Sequence, residues 1–108
     1  MTATSFPTSS DKALKTDVED LSAEECGQFV DAFAPKSYTR IGKRLRETGF
    51  IAQDVEAATQ ALPDFAHIVS TDEDGLLNLD YSRCISALLG CVRDLRDRVH
   101  QLESGTAA

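Results

Sequence analysis

From Tyr81 onward the chain repeats large apolar residues at alternating intervals of four and three: Tyr81, Ile85, Leu88, Val92, Leu95, Val99 and Leu102. A sustained 3.5-residue period marks a helix whose apolar seam meets another helix. Ile85, Val92 and Val99 take the a positions, and Tyr81, Leu88, Leu95 and Leu102 take the d positions. Asp80 supplies an N-cap and Gly105 a stop. In the first half Cys84 and Cys91 at g and Leu89 at e widen the apolar stripe. In the second half the flanks are charged, and Arg98 at g and Glu103 at the following e are placed to pair across helices. The early half is therefore expected to pack on a body or in a higher-order bundle, and the later half to project as a thin coil. Val/Ile at a with Leu at d favours two strands, while the broad early face favours three or more. The residues alone leave that number open, as they do the alternative of an amphipathic helix folded onto its own domain.

The rest of the chain must supply the body. At 108 residues one domain is the upper limit. A 42% hydrophobic content is too high for a disordered tail. No apolar run approaches the ~18 residues needed to span a bilayer. Residues 1–9, MTATSFPTS, have neither a basic start nor an apolar stretch, so they read as a flexible or extended leader rather than a signal peptide. The net charge of −7 argues against non-specific nucleic-acid binding. That charge is uneven: residues 1–80 carry a net −8, whereas Arg83 to Glu103 carry +1. Cys26, Cys84 and Cys91 have no metal-ligand spacing with each other or with His67 and His100. They read as buried free thiols in a reducing compartment, and no metal or cofactor is expected.

Along the body, Ser10–Leu21 is polar with isolated apolar residues, equally suited to an extended segment around Leu14–Val18 and to a helical turn. Ser22-Ala23-Glu24-Glu25 is a capping box, and Cys26, Phe29, Val30 and Phe33 follow at helical spacing up to a stop at Pro35. PKSYTRI and LRETGFIA flank a Gly-containing basic turn and predict a hairpin. Lys43, Arg44 and Arg46 then form either solvated hairpin surface or a contact for an acidic neighbour. Gln53–Leu62 predicts a short helix ended by Pro63, with Gln53 and Asp54 capping and charging its start. Phe65–Val69 and Leu76–Leu79 flank an acidic, Gly-terminated turn and predict a second hairpin. Its oxygen ligands are too few, and no closing Glu follows, for a calcium loop. His67 and His100 have no nucleophile or ligand partner at useful spacing and read as ordinary surface or half-buried residues. The fold class is thus α+β: a small body of short strands and helices followed by a long C-terminal helix.

Three stretches, in order, resemble a known family. Ser10-Asp11-Lys12-Ala13-Leu14-Lys15 resembles the S-D-x-x-L-K opening of the intramolecular chaperone domains at the C-termini of phage tailspikes and fibres, the endosialidase chaperone type, which also occurs in the myelin regulatory factor. Gly49-Phe50-Ile51-Ala52-Gln53-Asp54-Val55 resembles the family's G-F-I-A-Q-E-V centre, and Leu79-Asp80-Tyr81-Ser82-Arg83 its V-D-Y-S-R entry into the last helix. The likeness spans about Ser10 to Leu102.

The resemblance implies a trimeric coiled coil, a homotrimer that helps an upstream β-rich fibre or tailspike to fold, and then self-cleavage. The scissile bond is Ser9–Ser10, with Ser10 as nucleophile and Lys15 as base. Ser9 is the competing nucleophile, but only Ser10 stands directly before Asp11. Asp11 is an accessory candidate that orients the turn or contacts a neighbouring chain. The implied parts are a leader (1–9), a chaperone and protease body (10–80), a coiled-coil helix (81–103) and a tail (104–108). The implied client is the fibre polypeptide, with no nucleic acid and no membrane, and the implied setting is the host cytoplasm during virion assembly. A non-cleaving trimerisation module, acting in cis or in trans, is the alternative, and a small coiled-coil adaptor is the reading without the family.

The chemistry makes demands of its own. A serine hydroxyl needs a base, and a lysine, ordinarily near pKa ~10.4, serves only when dehydration or a neighbouring cation lowers that value. Lys12 is a nearby cation, and Leu14 with apolar sides of partner subunits could dry the site. Positions i and i+5 lie about 140° apart on a helix and on opposite sides of a strand. The pair therefore requires a bend between Ser10 and Lys15, or a Lys15 supplied by another subunit.

Overall fold

The computed structural model describes residues 9–105, so the first eight residues of the leader and the last three of the tail lie outside the described residues. Three helices and two small antiparallel hairpins follow one another in an α+β arrangement: α1 (Ala23–Asp31), β1 (Lys36–Thr39), β2 (Arg46–Gly49), α2 (Ala52–Thr59), β3 (Val69–Thr71), β4 (Leu77–Leu79) and α3 (Ile85–Glu103). Single 3-10 segments at Lys12–Leu14, Pro63–Ile68 and Tyr81–Cys84 set the directions between them.

Helix α1 starts where its capping box dictates. The Ser22 hydroxyl accepts from the Glu25 N–H at 3.0 Å, and the Glu25 carboxylate accepts from the Ser22 N–H at 3.2 Å. It ends at Asp31, four residues before Pro35, because Ala32 and Phe33 already close tighter i→i−3 bonds. The β1–β2 register pairs Lys36 with Gly49 and Thr39 with Arg46. The Arg46 guanidinium ties the strands by donating to Ser37 Oγ at 2.6 Å and to Thr39 Oγ1 at 3.2 Å. Gly42 turns the hairpin at φ +85°, a conformation that other residues rarely adopt. Lys43 and Arg44 are exposed on that turn.

The second hairpin is shorter than expected. Phe65–Ile68, read from the sequence as part of a strand, forms a 3-10 segment whose Phe65 and Ile68 both turn into the core. Pro63 at its start and burial on two successive turns override the strand pattern. In the acidic turn, Asp72 Oδ1 accepts from the N–H groups of Asp74 and Leu76, at 2.9 and 3.0 Å, so that carboxylate serves the turn itself. Gln53 and Asp54 do not cap α2; Ile51 occupies the cap position without a side-chain bond, and Asp54 lies in the first turn, where its charge suits the helix dipole.

The core is small: Phe29, Val55, Leu62, Phe65, Ile68, Cys84 and Ala87, with Cys26 and Thr59 also buried. Phe29 stacks on Phe65 with centroids 4.3 Å apart, and edge-to-face contacts run outward through Phe33 and Phe50 to Tyr81. The Cα radius of gyration is 17.4 Å, against ~13 Å for a compact chain of this length, because α3 projects.

Helix α3 presents two faces. Cys84 and Ala87 are buried in the core, and Gly90 presses against Cys26 of α1. The heptad residues face the other way: Tyr81, Ile85, Leu88, Val92, Leu95, Val99 and Leu102 are each 50–67% exposed. The early half thus packs on the body as expected, through small residues. All three cysteines are free thiols; burial, then neighbouring Cys91 and Glu25, pushes Cys26 up in pKa, and burial, then Asp80, does the same for Cys84. Tyr81 to Cys84, expected inside the helix, form a 3-10 entry whose N-cap position Asp80 holds, as expected, without a capping bond from its carboxylate. It accepts instead from Ser82 Oγ at 2.7 Å and pairs with Arg83 at 3.1 Å, while Arg83 also donates to the His67 carbonyl at 3.4 Å. His67 and His100 are exposed, and Gly105, at φ +71°, stops α3.

Two outcomes follow. A methyl at Gly90 would meet Cys26 Sγ and Cβ, so Gly90→Ala should destabilise the chain by about 1–3 kcal/mol in denaturant titration although alanine favours helix by ~1 kcal/mol. The Ser82 hydroxyl, aided by Arg83, holds the Asp80 carboxyl below its ordinary range. Its stabilisation is present above the unfolded value near ~3.9 and is lost as pH falls through the lower folded value. Asp80→Asn should therefore be less stable than wild type at pH 7, with the difference shrinking at pH 3.

Candidate active site

Ser10 and Lys15 meet within one chain. Lys15 Nζ donates to Ser10 Oγ at 2.6 Å, and the pair lies on the exposed N-terminal arm. The contact spans the awkward five-residue interval because the intervening Lys12–Leu14 forms a single 3-10 turn between extended residues at Asp11 and Lys15. A 3-10 turn advances three residues per revolution, which returns the chain toward its own start.

Asp11 holds that turn together. Its Oδ1 accepts from the Ala13 N–H at 2.8 Å, its carbonyl accepts from the Leu14 N–H at 3.0 Å, and the Lys15 N–H donates to the Lys12 carbonyl at 3.1 Å. Side-chain capping by a short acid is the ordinary way such a turn is favoured over an extended chain. Of the two roles open to Asp11, the structure shows the local one. A second bend follows at Asp17, which takes φ +52°, a left-handed conformation tolerated better by Asp than by most residues. No strand forms between Leu14 and Val18.

The arm from Ser9 to Glu24 is exposed throughout, with Leu14 at 71% and Val18 at 75%. Two aliphatic side chains close in sequence to the Ser10–Lys15 pair therefore face solvent. The pair brings a hydroxyl and an amine into hydrogen-bond contact, and it lacks within one chain the dry surroundings that a lysine base requires. Ser9, the rival hydroxyl, has no hydrogen bond to Lys15.

A second feature adjoins the seam. Between the C-terminal end of α1 and the start of α3 lies an open groove of about 350 Å³, walled by Phe29, Phe33, Pro35, Phe50, Cys84 and Leu88. Nothing in the residue pattern marks it, because Phe33 and Phe50 look like core residues until α1 is seen to end early. Their half-buried positions at the edge of the core create the groove. Among the described residues no group of three or more His, Cys, Asp or Glu side chains is arranged to hold a metal ion.

Comparison with known proteins gives one family. The family model described as chaperone of endosialidase, a peptidase family by its title, matches residues 10–67, beginning at Ser10 and running through α1, the first hairpin and α2. No curated protein matches the chain. A match over more than half of the length, opening on the residue that Lys15 contacts, settles the classification: the chain belongs to the chaperone-of-endosialidase family.

Proposed function

We propose that this chain is a self-cleaving intramolecular chaperone of a viral tail fibre or tailspike, acting as a homotrimer. The observation that carries the reading is the 2.6 Å contact between Lys15 Nζ and Ser10 Oγ at the first residue of the family match. Cleavage proceeds by attack of Ser10 Oγ on the Ser9 carbonyl while neutral Lys15 takes the hydroxyl proton. Collapse of the intermediate breaks the Ser9–Ser10 C–N bond, with a proton passing to the departing nitrogen, and leaves an ester between the Ser9 acyl group and Ser10 Oγ. Water hydrolyses that ester, giving a carboxylate at Ser9 and a chain beginning at Ser10. The event occurs once per chain.

Assembly supplies what one chain lacks. The exposed heptad face of α3 offers a seam for parallel copies, so residues 81–103 act as the coiled-coil element and residues 10–80 as the chaperone and protease body. Apolar surface of a neighbouring copy laid over Leu14 and Val18 dehydrates Lys15, lowers its proton affinity and makes it a base. Cleavage then reports correct assembly, and the client is the fibre polypeptide, in the host cytoplasm where virions assemble. Among the described residues no helix is long and apolar enough to cross a membrane.

Intact-mass measurement tests the chemistry. Wild-type protein held under trimer-forming conditions should lose residues 1–9 and leave the 99-residue product Ser10–Ala108, while Ser10→Ala and Lys15→Ala should stay whole. A full-length wild-type trimer would establish the non-cleaving assembly module instead. Asp11→Ala, which removes a cap bond worth about 1 kcal/mol, should slow cleavage roughly fivefold. Asp11→Asn keeps the acceptor and should cleave at close to the wild-type rate. In sedimentation, wild type should run as a trimer, and Leu95→Asp should run as an uncleaved monomer with the body still folded.

A further inference from the structure

We infer that the apolar groove beside the start of α3 is the seat of Leu89 from a neighbouring copy of this chain, in one fixed parallel register. The inference rests on the helix-mediated self-association proposed above and adds where, and in what alignment, the copies lock. In a parallel coil, a g residue lies beside the e residue five positions further along the neighbouring helix. Leu88, a d residue of α3, forms part of the groove wall together with Cys84 just before the helix, so the residue that arrives there is the partner's Leu89. In the single chain Leu89 is 57% exposed, and the groove is open and walled by aromatic and aliphatic side chains. Burying each against the other removes apolar surface from water on both partners.

Charge fixes the alignment. The same register sets Arg98 beside the partner's Glu103, opposite charges at the far end of the seam. An intrahelical bond from Arg98 Nε to Asp94 at 3.2 Å leaves the rest of the guanidinium free to make that contact. Sliding one helix by a heptad in one direction would bring the partner's Arg96 to the apolar groove, where an unpaired charge is costly. Sliding it the other way would bring Arg98 beside the partner's Arg96, a like-charge pair. Only the unshifted parallel register satisfies both ends, so the groove and the charged flanks together act as a register lock.

The full-length chain carrying Leu89→Cys tests the seat directly. Copper-phenanthroline oxidation in air should join Cys84 of each copy to the introduced thiol of the next, giving covalent trimers on a non-reducing gel, and adding Cys84→Ser should abolish them. Cross-linking that persists with Cys84→Ser would overturn the seat. Leu89→Asp should weaken association by about tenfold or more in sedimentation, whereas Asp97→Ala, at the f position opposite the seam, should not. Circular dichroism of the dilute Leu89→Asp monomer should match that of the dilute wild-type monomer, because the side chain is exposed before assembly. The dye anilinonaphthalene sulfonate should bind the dilute monomer and be released on association; equal binding in both states would show the groove unfilled and overturn the seat. If wild type associates and Leu89→Asp associates equally tightly, the seat fails and the assembly reading survives. A wild-type chain that stays monomeric overturns both.

Discussion

Everything in the molecule depends on how α3 divides its surface. A single helix cannot turn the same residues toward its own body and toward a partner, and this one separates the tasks by size. Cys84, Ala87 and Gly90 are small, so α1 approaches closely, and Cys26 fits against the glycine. Branched and long residues occupy the opposite stripe and remain exposed. Had the bulky heptad residues faced the body, the core would be larger and the chain would have nothing with which to assemble. The small core and the exposed stripe are two results of one allocation of residues.

That allocation also explains which readings of the sequence held. The capping box at Ser22, the basic-turned hairpin and the helix around Val55 were legible because each is set by residues close in sequence. The heptad was legible as a period, but Cys84 and Cys91 were read as widening the seam. In the fold, Cys84 and Ala87 belong to the body-facing stripe, a distinction that depends on α1 and not on periodicity. Phe65–Ile68 misled for a related reason: a run of apolar residues next to a proline is equally compatible with a strand or a tight turn until its burial partners, Phe29 and Val55, are known. Asp80 takes the N-cap position its sequence context indicated, at the 3-10 entry rather than at α3 itself, and there it holds Ser82 and Arg83.

The candidate site shows the limit from the other side. Ser10 and Lys15 were identifiable from a resemblance, yet their meeting was not, since an i, i+5 pair is separated in both regular structures. The bend comes from Asp11, through one carboxylate bond to a backbone N–H and the turn it favours. A polar hexapeptide with no periodicity carries that information only in its capping residue, which is why the sequence allowed an extended arm, a turn or a lysine from another copy. The geometry favours the first chain's own Lys15.

Exposure of the pair then has a mechanistic consequence. A serine–lysine pair that was dry in every monomer would be competent before the client had folded, and the chaperone would be lost too early. Here Ser10 and Lys15 are held together by a local turn on an exposed arm, so in the proposed reaction the dehydration that activates a lysine would come from surface outside the arm. Under the proposed function, local structure would handle orientation, which is needed in every chain, and assembly would handle protonation, which is needed only once the copies are in register. If the register lock at the groove and charged flanks sets that alignment, a slipped trimer would carry correctly oriented but wet dyads. Fidelity of cleavage would then follow from the same seam that holds the trimer together.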